Sequence, residues 1–284
     1  MQRILITGIT GTLGTELRNR FLEEGHEVLG ISRDEQKQRQ IPTHERLHLR
    51  LADVRDTRAL YRAVGSFKPD RIFHLAALKC VDTLEFNVNE ALRTNIEGTD
   101  NIVLLANDLG AKLTFTSTDK AAYPVNVYGM SKAIAERIVR DSGYSVVRYG
   151  NVIGSRGSFI PNLILSLKTE GKAYVTDKRM TRFWMSQSQA ADFVCRADTG
   201  PGGKLYVPEQ IRAASLPAIV KAVASFCGVE RYEIEEIGVR PGEKMHECLR
   251  THEEGGLIRS DNPELQFDSR SLEQFVIGVL KGDV

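Results

Sequence analysis

The segment Ser117–Lys132, STDKAAYPVNVYGMSK, concentrates side chains that can transfer protons. Asp119 and Lys120 are adjacent, whereas Tyr128 and Lys132 stand four residues apart. Residues four apart on a helix share a face, so this phenol and ammonium can face one bound molecule. A lysine cation within about 4–6 Å typically lowers the pKa of such a group by about 1–3 units. The phenol could then take a proton from an alcohol that is being oxidised; the alternative is a surface tyrosine and lysine on a helix.

The elements that must position these side chains alternate regularly through the first half of the chain. Strand-like runs extend from RILIT at 3–7 to YSVVRYG at 144–150, with helical patterns between them. This alternation predicts parallel pairing through right-handed crossovers, and so an α/β fold with a doubly wound parallel sheet of Rossmann type. After Asn151 the rhythm breaks, and the runs AYVTD, KLYVP and YEIEEIG predict a smaller α/β lobe. The predicted domains are 1–150 plus about 184–203, and 151–183 plus about 204–284.

The turn after the first strand, TGITGTLG, has the spacing of a dinucleotide-binding motif. Gly8 permits the tight turn, Gly11 lets the backbone approach a pyrophosphate, and Gly14 lets the helix pack close to the sheet. The phosphates then meet N–H groups at the start of the helix. We therefore assign dinucleotide binding to the first domain.

The choice between NAD and NADP depends on the tip of the second strand. Ser32 and Arg33 occupy this tip in ISRDEQK, and Arg33 could bind a 2′-phosphate through charge-assisted hydrogen bonds. We expect NADP rather than NAD, although Arg33 could also be a solvated loop charge. Asp53 and Val54, after the third strand, are placed to touch adenine, unless Asp53 only starts a helix.

The glycine turn, the YxxxK pair and the Ser117–Thr118 pair together resemble the extended short-chain dehydrogenase/reductase superfamily. HLAAL (74–78) and Asn95 in TNIEGT fit the same resemblance, although we expect His74 and Asn95 to make structural hydrogen bonds. The cofactor contacts that follow are Gly8, Thr10, Gly11, Thr12, Leu13, Gly14, Ser32, Arg33, Asp34, Lys37, Asp53, Val54, Ala76, Ala77, Lys79, Ser117, Tyr128 and Lys132.

Asp119 and Lys120 have no use in a simple alcohol oxidation. If a sugar nucleotide is oxidised at C4, the new ketone acidifies the C5 hydrogen. A base can then remove this hydrogen, an acid can help the C6 hydroxyl leave as water, and hydride returns to C6. We predict Asp119 as the general acid and Lys120 as the base, made neutral by burial and by the cation at Lys132 against the opposing effect of Asp119. The alternative is an Asp–Lys ion pair in a loop.

The whole segment is similar to the active site of UDP-N-acetylglucosamine 4,6-dehydratases with a TDK triplet, most of all the C5-inverting branch that begins pseudaminic acid synthesis. Blocks such as VVRYGNVIGSRGSFIP, VTDKRMTRFWMS and GVRPGEKMHE agree along most of the chain. Relatives that retain C5 configuration, or that also epimerise, often carry methionine where this chain has Tyr128. That residue favours inversion, and a C5-retaining enzyme, a dehydratase-epimerase and a non-catalytic NADP-binding regulator stay open as alternatives.

The same resemblance implies the substrate contacts and the assembly. Two arginines, Arg182 and Arg240, suit a diphosphate, and Glu243 can accept from ribose hydroxyls. The full set implied for the UDP-sugar is Lys79, Thr118, Asn151, Ser155, Arg156, Gly157, Arg182, Arg240 and Glu243. Family members associate through helices near 87–109 and 128–142, so we expect a homodimer or a higher homo-oligomer.

Composition excludes several other classes of function. The 284 residues carry a formal net charge of +1, which predicts neither a nucleic-acid partner nor a membrane-binding face. Four scattered cysteines form no CxxC pair, and His44 and His48 lack a second ligand pair, so we predict no metal site. The N-terminus shows no signal-peptide pattern and no run reaches 18 apolar residues, so we expect a cytoplasmic protein.

Overall fold

The computed structural model describes residues 1–155 and 157–282 of the chain. These residues form two compact units. The first unit comprises Met1–Arg148 and Ala191–Tyr206, and the second comprises Tyr149–Ala190 and Val207–Val284. Arg156, predicted to contact substrate, lies outside the described residues.

The strands are short and follow one another in this order: β1 (Arg3–Thr7), β2 (Glu27–Ser32), β3 (Leu47–Leu51), β4 (Arg71–His74), β5 (Lys112–Thr118), β6 (Ser145–Tyr149), β7 (Asn151–Val152), β8 (Lys172–Val175), β9 (Thr181–Met185), β10 (Leu205–Tyr206), β11 (Arg212–Ser215), β12 (Glu233–Glu236), β13 (Cys248–Arg250) and β14 (Ile258–Arg259).

The α-helices are α1 (Thr12–Glu23), α2 (Glu35–Arg39), α3 (Thr57–Val64), α4 (Val81–Glu85), α5 (Val88–Ala91), α6 (Gly98–Leu109), α7 (Val127–Asp141), α8 (Phe159–Glu170), α9 (Gln187–Thr199), α10 (Leu216–Cys227) and α11 (Ser269–Lys281). A π-helix covers Leu92–Glu97, and 3₁₀ turns cover Asp119–Ala121 and Pro263–Leu265. None of the helices within 1–155 and 157–282 combines the length and apolar character needed to cross a membrane.

The first unit is built on a seven-stranded parallel sheet with the order β10-β6-β5-β4-β1-β2-β3, so the predicted Rossmann-type α/β fold is confirmed. Its central strand is a continuous apolar run, and Ile4, Leu5 and Ile6 are fully buried, as expected of a parallel strand covered on both faces. The order reverses beyond β1, and the carboxyl ends of β1, β4 and β5 point toward one edge of the sheet, where folds of this type bind ligands.

Two sequence-based expectations about elements are wrong. The run KLYVP was expected in the smaller lobe, but Leu205 and Tyr206 pair in parallel with Val146 and Val147 and extend the main sheet. A two-residue strand is too short to show its partner from sequence.

The apolar pattern over 87–109 predicted one helix, but the structure breaks it into α5, the π-helix and α6. The π-helix inserts Asn95 toward a neighbouring loop, and single π turns of this kind often mark functional sites.

The second unit has its own core and three small sheets. The three-stranded sheet has the order β11-β9-β7, and β12 pairs with β8 while β13 pairs with β14. Helix α10 packs its apolar face through Ile219, Val220 and Val223, all fully buried, into a cluster that includes Trp184. Asn151 on β7 lies in register with Trp184 on β9, so these two predicted blocks of sequence meet in one sheet.

Candidate active site

The glycine turn between β1 and α1 leaves a cradle that side chains would fill. Gly8 has φ +73°, and its carbonyl accepts the Gly11 N–H at 2.9 Å. A Cβ at Gly14 would lie 2.4 Å from the Gly8 oxygen, so only glycine allows α1 to pack this closely. No side chain caps the start of α1 at Gly11. The turn therefore leaves room for a pyrophosphate, and cofactor contacts from this stretch, which includes Thr10, Thr12 and Leu13, stay a prediction.

The tips of β2 and β3 bring together the residues predicted for the adenosine end of the cofactor. The Arg33 guanidinium lies 3.5 Å from the Asp53 carboxylate, which also accepts from Arg55 at 2.8 Å. These cations hold the pKa of Asp53 below its usual value although burial opposes them. Asp34 caps α2 and pairs with Lys37. Val54 is buried beside these groups, whereas Asp53 does not start α3, because Asp56 is its N-cap residue.

Ser32 is held by a residue that sequence reasoning missed. The Gln38 amide donates to the Ser32 carbonyl at 3.1 Å, to its hydroxyl at 2.9 Å and to the Arg50 carbonyl at 2.9 Å. Gln38 is buried whereas its neighbours Lys37 and Arg39 are exposed, and the polar run that contains all three gives no signal of this difference. It fixes the strand tips on which the adenosine end would rest.

A chain of hydrogen bonds shapes the loop after β4. The Thr99 hydroxyl donates to the Asn95 carbonyl, so it must accept from His74 Nε2, which makes His74 Nδ1 the acceptor of the Thr7 hydroxyl at 2.7 Å. Thr7 in turn accepts the Ala76 N–H at 3.3 Å. Burial and the charge of Lys132 lower the pKa of His74 to about 3, so it stays neutral. The expected structural role of His74 is confirmed.

Asn95 ties the same loop to α7. Its amide accepts from the Leu78 N–H at 2.8 Å and donates to the Leu78 carbonyl at 2.9 Å and the Ser131 hydroxyl at 3.0 Å. This too is the structural bonding expected from sequence. The loop that follows Ala76 and Ala77 is held at Leu78 and carries Lys79. Lys79 is exposed, and partial desolvation lowers the pKa of its ammonium.

The Thr118–Lys120 turn lies at the carboxyl end of β5. The Thr118 hydroxyl donates to the Asp119 carboxylate at 3.0 Å, and Lys120 Nζ donates to the same oxygen at 3.0 Å. The Asp119 side chain is 1% exposed and that of Lys120 is 18% exposed. Ser117, just before them, is buried. The structure therefore makes the adjacent acid and amine one hydrogen-bonded pair with the carboxylate inside.

Helix α7 is brought directly against this turn. Asn126 caps it by accepting the Gly129 N–H at 2.6 Å. A Cβ at Gly129 would lie 2.2 Å from the Lys120 carbonyl oxygen, so this glycine permits the close approach. The preceding residue, Tyr128, consequently shares a side-chain hydrogen bond with Thr118 and feels the charges of Asp119 and Lys120. Sequence reasoning missed Gly129, although a glycine in the first turn of a helix is a recognisable signal.

The protonation of the YxxxK pair differs from the sequence-based expectation. Burial is the largest effect and raises the pKa of Tyr128 to about 12, and the charge of Lys120 opposes it. Lys132 Nζ instead donates to the Thr116 carbonyl at 2.7 Å and lies 3.9 Å from the Phe115 ring centroid. Burial lowers the pKa of Lys132 to about 7. The Lys132 ammonium points toward β5, and the expectation that Lys132 lowers the pKa of Tyr128 stays a prediction.

Residues predicted to bind substrate in the second unit fall into two groups. Asn151 lies on β7, and Ser155 and Gly157 follow in the next loop, where Gly157 has φ +67°. Arg182, on β9, donates to the Thr181 carbonyl at 2.8 Å and lies 3.9 Å from the Glu247 carboxylate. These contacts fix its side chain inside the unit.

The second group is a turn formed by VRPGEK. The Glu243 N–H donates to the Arg240 carbonyl at 3.1 Å, and the Arg240 N–H approaches the Glu243 carboxylate at 3.5 Å. Lys244, which sequence reasoning missed, lies 3.4 Å from the Glu247 carboxylate. Glu247 is therefore a buried anion near both Arg182 and Lys244.

Comparison with known proteins places the chain in a family. Residues 4–262 match the family described as polysaccharide biosynthesis protein. The chain is 37% identical over 270 residues to the UDP-glucose 4-epimerase of Rickettsia rickettsii, covering 88% of this chain and 78% of the relative, and it is equally similar to that of Rickettsia felis. The chain belongs to the polysaccharide biosynthesis protein family, on the fold of the extended short-chain dehydrogenases/reductases.

Solved structures agree on the fold. Pen from Bacillus thuringiensis superposes with a TM-score of 0.92 at 31% identity, covering 98% of this chain and 97% of Pen. The dTDP-glucose 4,6-dehydratase of Bacillus anthracis, solved with NAD, has a TM-score of 0.75 at 17% identity and covers 85% of this chain and 86% of its own. The UDP-glucose 4-epimerase of Thermus thermophilus, also solved with NAD, has a TM-score of 0.78 at 20% identity and covers 99% of this chain and 100% of its own.

Proposed function

We propose that this protein is a UDP-N-acetylglucosamine 4,6-dehydratase that uses NADP and inverts C5, as the first step toward pseudaminic acid. The observation that carries the proposal is the contact at Gly129, which brings Tyr128 against the Asp119–Lys120 pair. A carboxyl group, an amine and a phenol thereby meet at the carboxyl end of β5. Net dehydration of an oxidised sugar needs such an acid and base beside the redox group.

Each of the three side chains has a separate role in this proposal. Tyr128 accepts the proton of the C4 hydroxyl during oxidation, and the charge of Lys120 favours the phenolate form. Transfer of the proton shared in the Lys120–Asp119 hydrogen bond first converts the ammonium and carboxylate to an amine and a carboxylic acid. The Lys120 amine then removes the C5 proton from the 4-keto sugar, and the Asp119 carboxyl group protonates the departing C6 hydroxyl, which restores the original ion pair. Because Lys120 and Asp119 share a hydrogen bond, the proton gained by one can compensate the proton given by the other. A proton returned to the opposite face of C5 completes the inversion.

A nicotinamide dinucleotide, when bound, supplies a reversible hydride acceptor. The cradle at Gly8, Gly11 and Gly14 would hold its pyrophosphate, and Lys132 would hold the end nearest the reaction. NADP is favoured because Arg33 is half exposed at the tip of β2 and can turn to a 2′-phosphate. The structural neighbours from Bacillus anthracis and Thermus thermophilus were solved with NAD, so both dinucleotides belong in the test.

The substrate side of the proposal rests on the second unit. We assign it to UDP-sugar binding and the first unit to the dinucleotide. Arg182, Arg240 and Lys244 supply cations that suit a diphosphate, and Glu243 supplies an acceptor for ribose hydroxyls. One structural neighbour, MoeE5, was solved with UDP-glucuronic acid and NAD. A cytoplasmic location is part of the same proposal, and all four cysteines are thiols rather than disulfides, which is consistent with a reducing compartment.

A second candidate is a UDP-sugar 4-epimerase, favoured by the names of the Rickettsia relatives. Epimerisation needs the oxidation at C4 but no proton removal at C5 and no departure of water. It gives no role to a buried carboxylate hydrogen-bonded to a lysine beside the phenol. For this reason we place the lyase first, with C5-retaining and dehydratase-epimerase variants as its nearest alternatives.

Incubating the protein with UDP-N-acetylglucosamine and catalytic NADP, without added reductant, is the deciding experiment. The expected product is lighter than the substrate by one water, and proton NMR is expected to show the C5-inverted 4-keto-6-deoxy sugar. A product of unchanged mass that epimerises at C4 would establish the second candidate instead. Parallel reactions with NAD and with UDP-glucose test the cofactor and the sugar.

The outer surface of the first unit supports a homodimer. Leu104 on α6 and Met130 and Ile134 on α7 are each nearly half exposed, and Leu92 on the π-helix is 42% exposed. Met130 and Ile134 stand four apart and so share a face. We expect twice the chain mass by light scattering, and Ile134→Glu is expected to give the monomer, with exposed Leu165→Glu as the control.

A further inference from the structure

A buried ion pair that the proposed reaction does not use lies beneath the catalytic face of α7. Arg148 on β6 donates from Nε to one carboxylate oxygen of Glu136 at 2.9 Å and from its terminal nitrogen to the other at 2.5 Å. The two side chains are only 2% and 5% exposed. Replacing a buried pair by apolar residues is often neutral or stabilising, so stability alone gives no reason for these charges.

The position of Glu136 on α7 relates it to the reaction. Tyr128, Lys132 and Glu136 follow one another at intervals of four and lie along one face of the helix. Lys132 is 3% exposed, and its ammonium is held by the Thr116 carbonyl. Such burial favours the neutral amine, and the Glu136 carboxylate acts against it by raising the pKa of Lys132.

The other groups around Lys132 add no negative charge in the part of the chain that the structure describes. On β4 the neighbouring titratable group is His74, which stays neutral because its pKa is lowered to about 3. On β5 the neighbours are the Thr116 carbonyl and the Phe115 ring. Arg148 in turn holds the Glu136 carboxylate in place through hydrogen bonds to both of its oxygens.

We propose that Glu136, held by Arg148, is a positioning residue that keeps Lys132 in its ammonium form for the proposed oxidation. The inference rests on the proposed function, because the charge of Lys132 matters only if the protein oxidises the sugar. The pKa of Lys132 can be measured without that reaction. When a dinucleotide is bound, Lys132 would supply a positive charge at its nicotinamide end only while the Lys132 amine is protonated. Glu136 therefore extends the pH range over which the oxidation runs.

The test is a pH titration of the folded, unliganded protein by NMR of lysine labelled with carbon-13 at Cε. The Lys132 resonance is assigned with Lys132→Met, and its expected midpoint in the wild-type protein is about 7. Glu136→Gln keeps the shape and an acceptor for Arg148 while removing the charge. We expect its midpoint to fall by about one unit or more. Asp141→Asn, which removes an exposed carboxylate from the same helix, is the matched control and should leave the midpoint unchanged.

An unmoved Lys132 midpoint in folded Glu136→Gln, or an equal shift in Asp141→Asn, overturns the inference. Should Glu136→Gln not fold because Arg148 is left unpaired, the double variant Glu136→Gln/Arg148→Gln is compared with Arg148→Gln. The two differ only in the Glu136 charge, so the Lys132 midpoint is expected to be lower in the double variant. If the variant is active, the kcat of Glu136→Gln should begin to fall at a lower pH than the kcat of the wild type, and its KM for the UDP-sugar should be unchanged. Absence of dehydration by the wild type would defeat the proposed function alone, because the titration needs no substrate.

Discussion

Lys120→Ala is expected to oxidise UDP-N-acetylglucosamine at C4 and then to stop. Lys120 donates to the buried Asp119 carboxylate at 3.0 Å and its charge acts on Tyr128, and in the proposed reaction it is the amine that removes the C5 proton. Loss of a general base typically costs about 10²–10⁴-fold in rate. Reduced cofactor should therefore accumulate on the enzyme, visible by its near-ultraviolet absorbance, while release of the 4-keto-6-deoxy product falls by that factor.

The control for this variant is Lys178→Ala, which removes a half-exposed lysine paired with Glu236 in the second unit. It should release product at the wild-type rate. The thermal unfolding midpoint of Lys120→Ala should be measured in parallel, since Asp119 loses one cation but keeps the Thr118 hydroxyl as a donor. Wild-type amounts of dehydrated product from a folded Lys120→Ala protein would show that another group removes the C5 proton.

Tyr128→Phe is expected to suppress the oxidation itself. The phenol is the group that accepts the C4 hydroxyl proton, and its ring would still fill the same space without the oxygen. We expect the accumulation of reduced cofactor and the formation of product to fall together by about 10²–10⁴-fold. Single-turnover absorbance measurements with the UDP-sugar distinguish this outcome from that of Lys120→Ala, in which only the later step is lost.

Tyr61→Phe is a suitable control for Tyr128→Phe because Tyr61 lies on α3 and its hydroxyl bonds to Asp108 on the surface. Its activity should equal that of the wild type. Burial raises the pKa of Tyr128 to about 12 in the unliganded protein, so the phenolate that accepts the C4 proton has to form after substrate binds, and the charge of Lys120 favours it. If Tyr128→Phe retained full oxidation, the proton would have to leave through another acceptor, and Tyr128 would have no part in the chemistry.

The sequence alone predicted the parallel sheet apart from its edge strand β10, and the glycine turn, and it singled out the segment to which we assign proton transfer. These features are local, because hydrophobic periodicity fixes each strand and helix, and a glycine at a turn answers a steric demand within a few residues. The sequence also shows two lysines near Tyr128, namely Lys120 and Lys132. It does not show which of the two lies beside the phenol.

Tertiary structure decided that question, and the reason is packing between elements distant in sequence. Gly129 lets α7 touch the Lys120 carbonyl, and Lys132 then reaches β5 and bonds to Thr116, so Lys120 is the cation beside the phenol. Packing between distant elements also explains three other features that the sequence did not predict. These are the π-helix at Asn95, the membership of Leu205–Tyr206 in the main sheet and the buried Glu136–Arg148 pair. Burial and pairing depend on which elements meet, and no periodicity within one element specifies its neighbour.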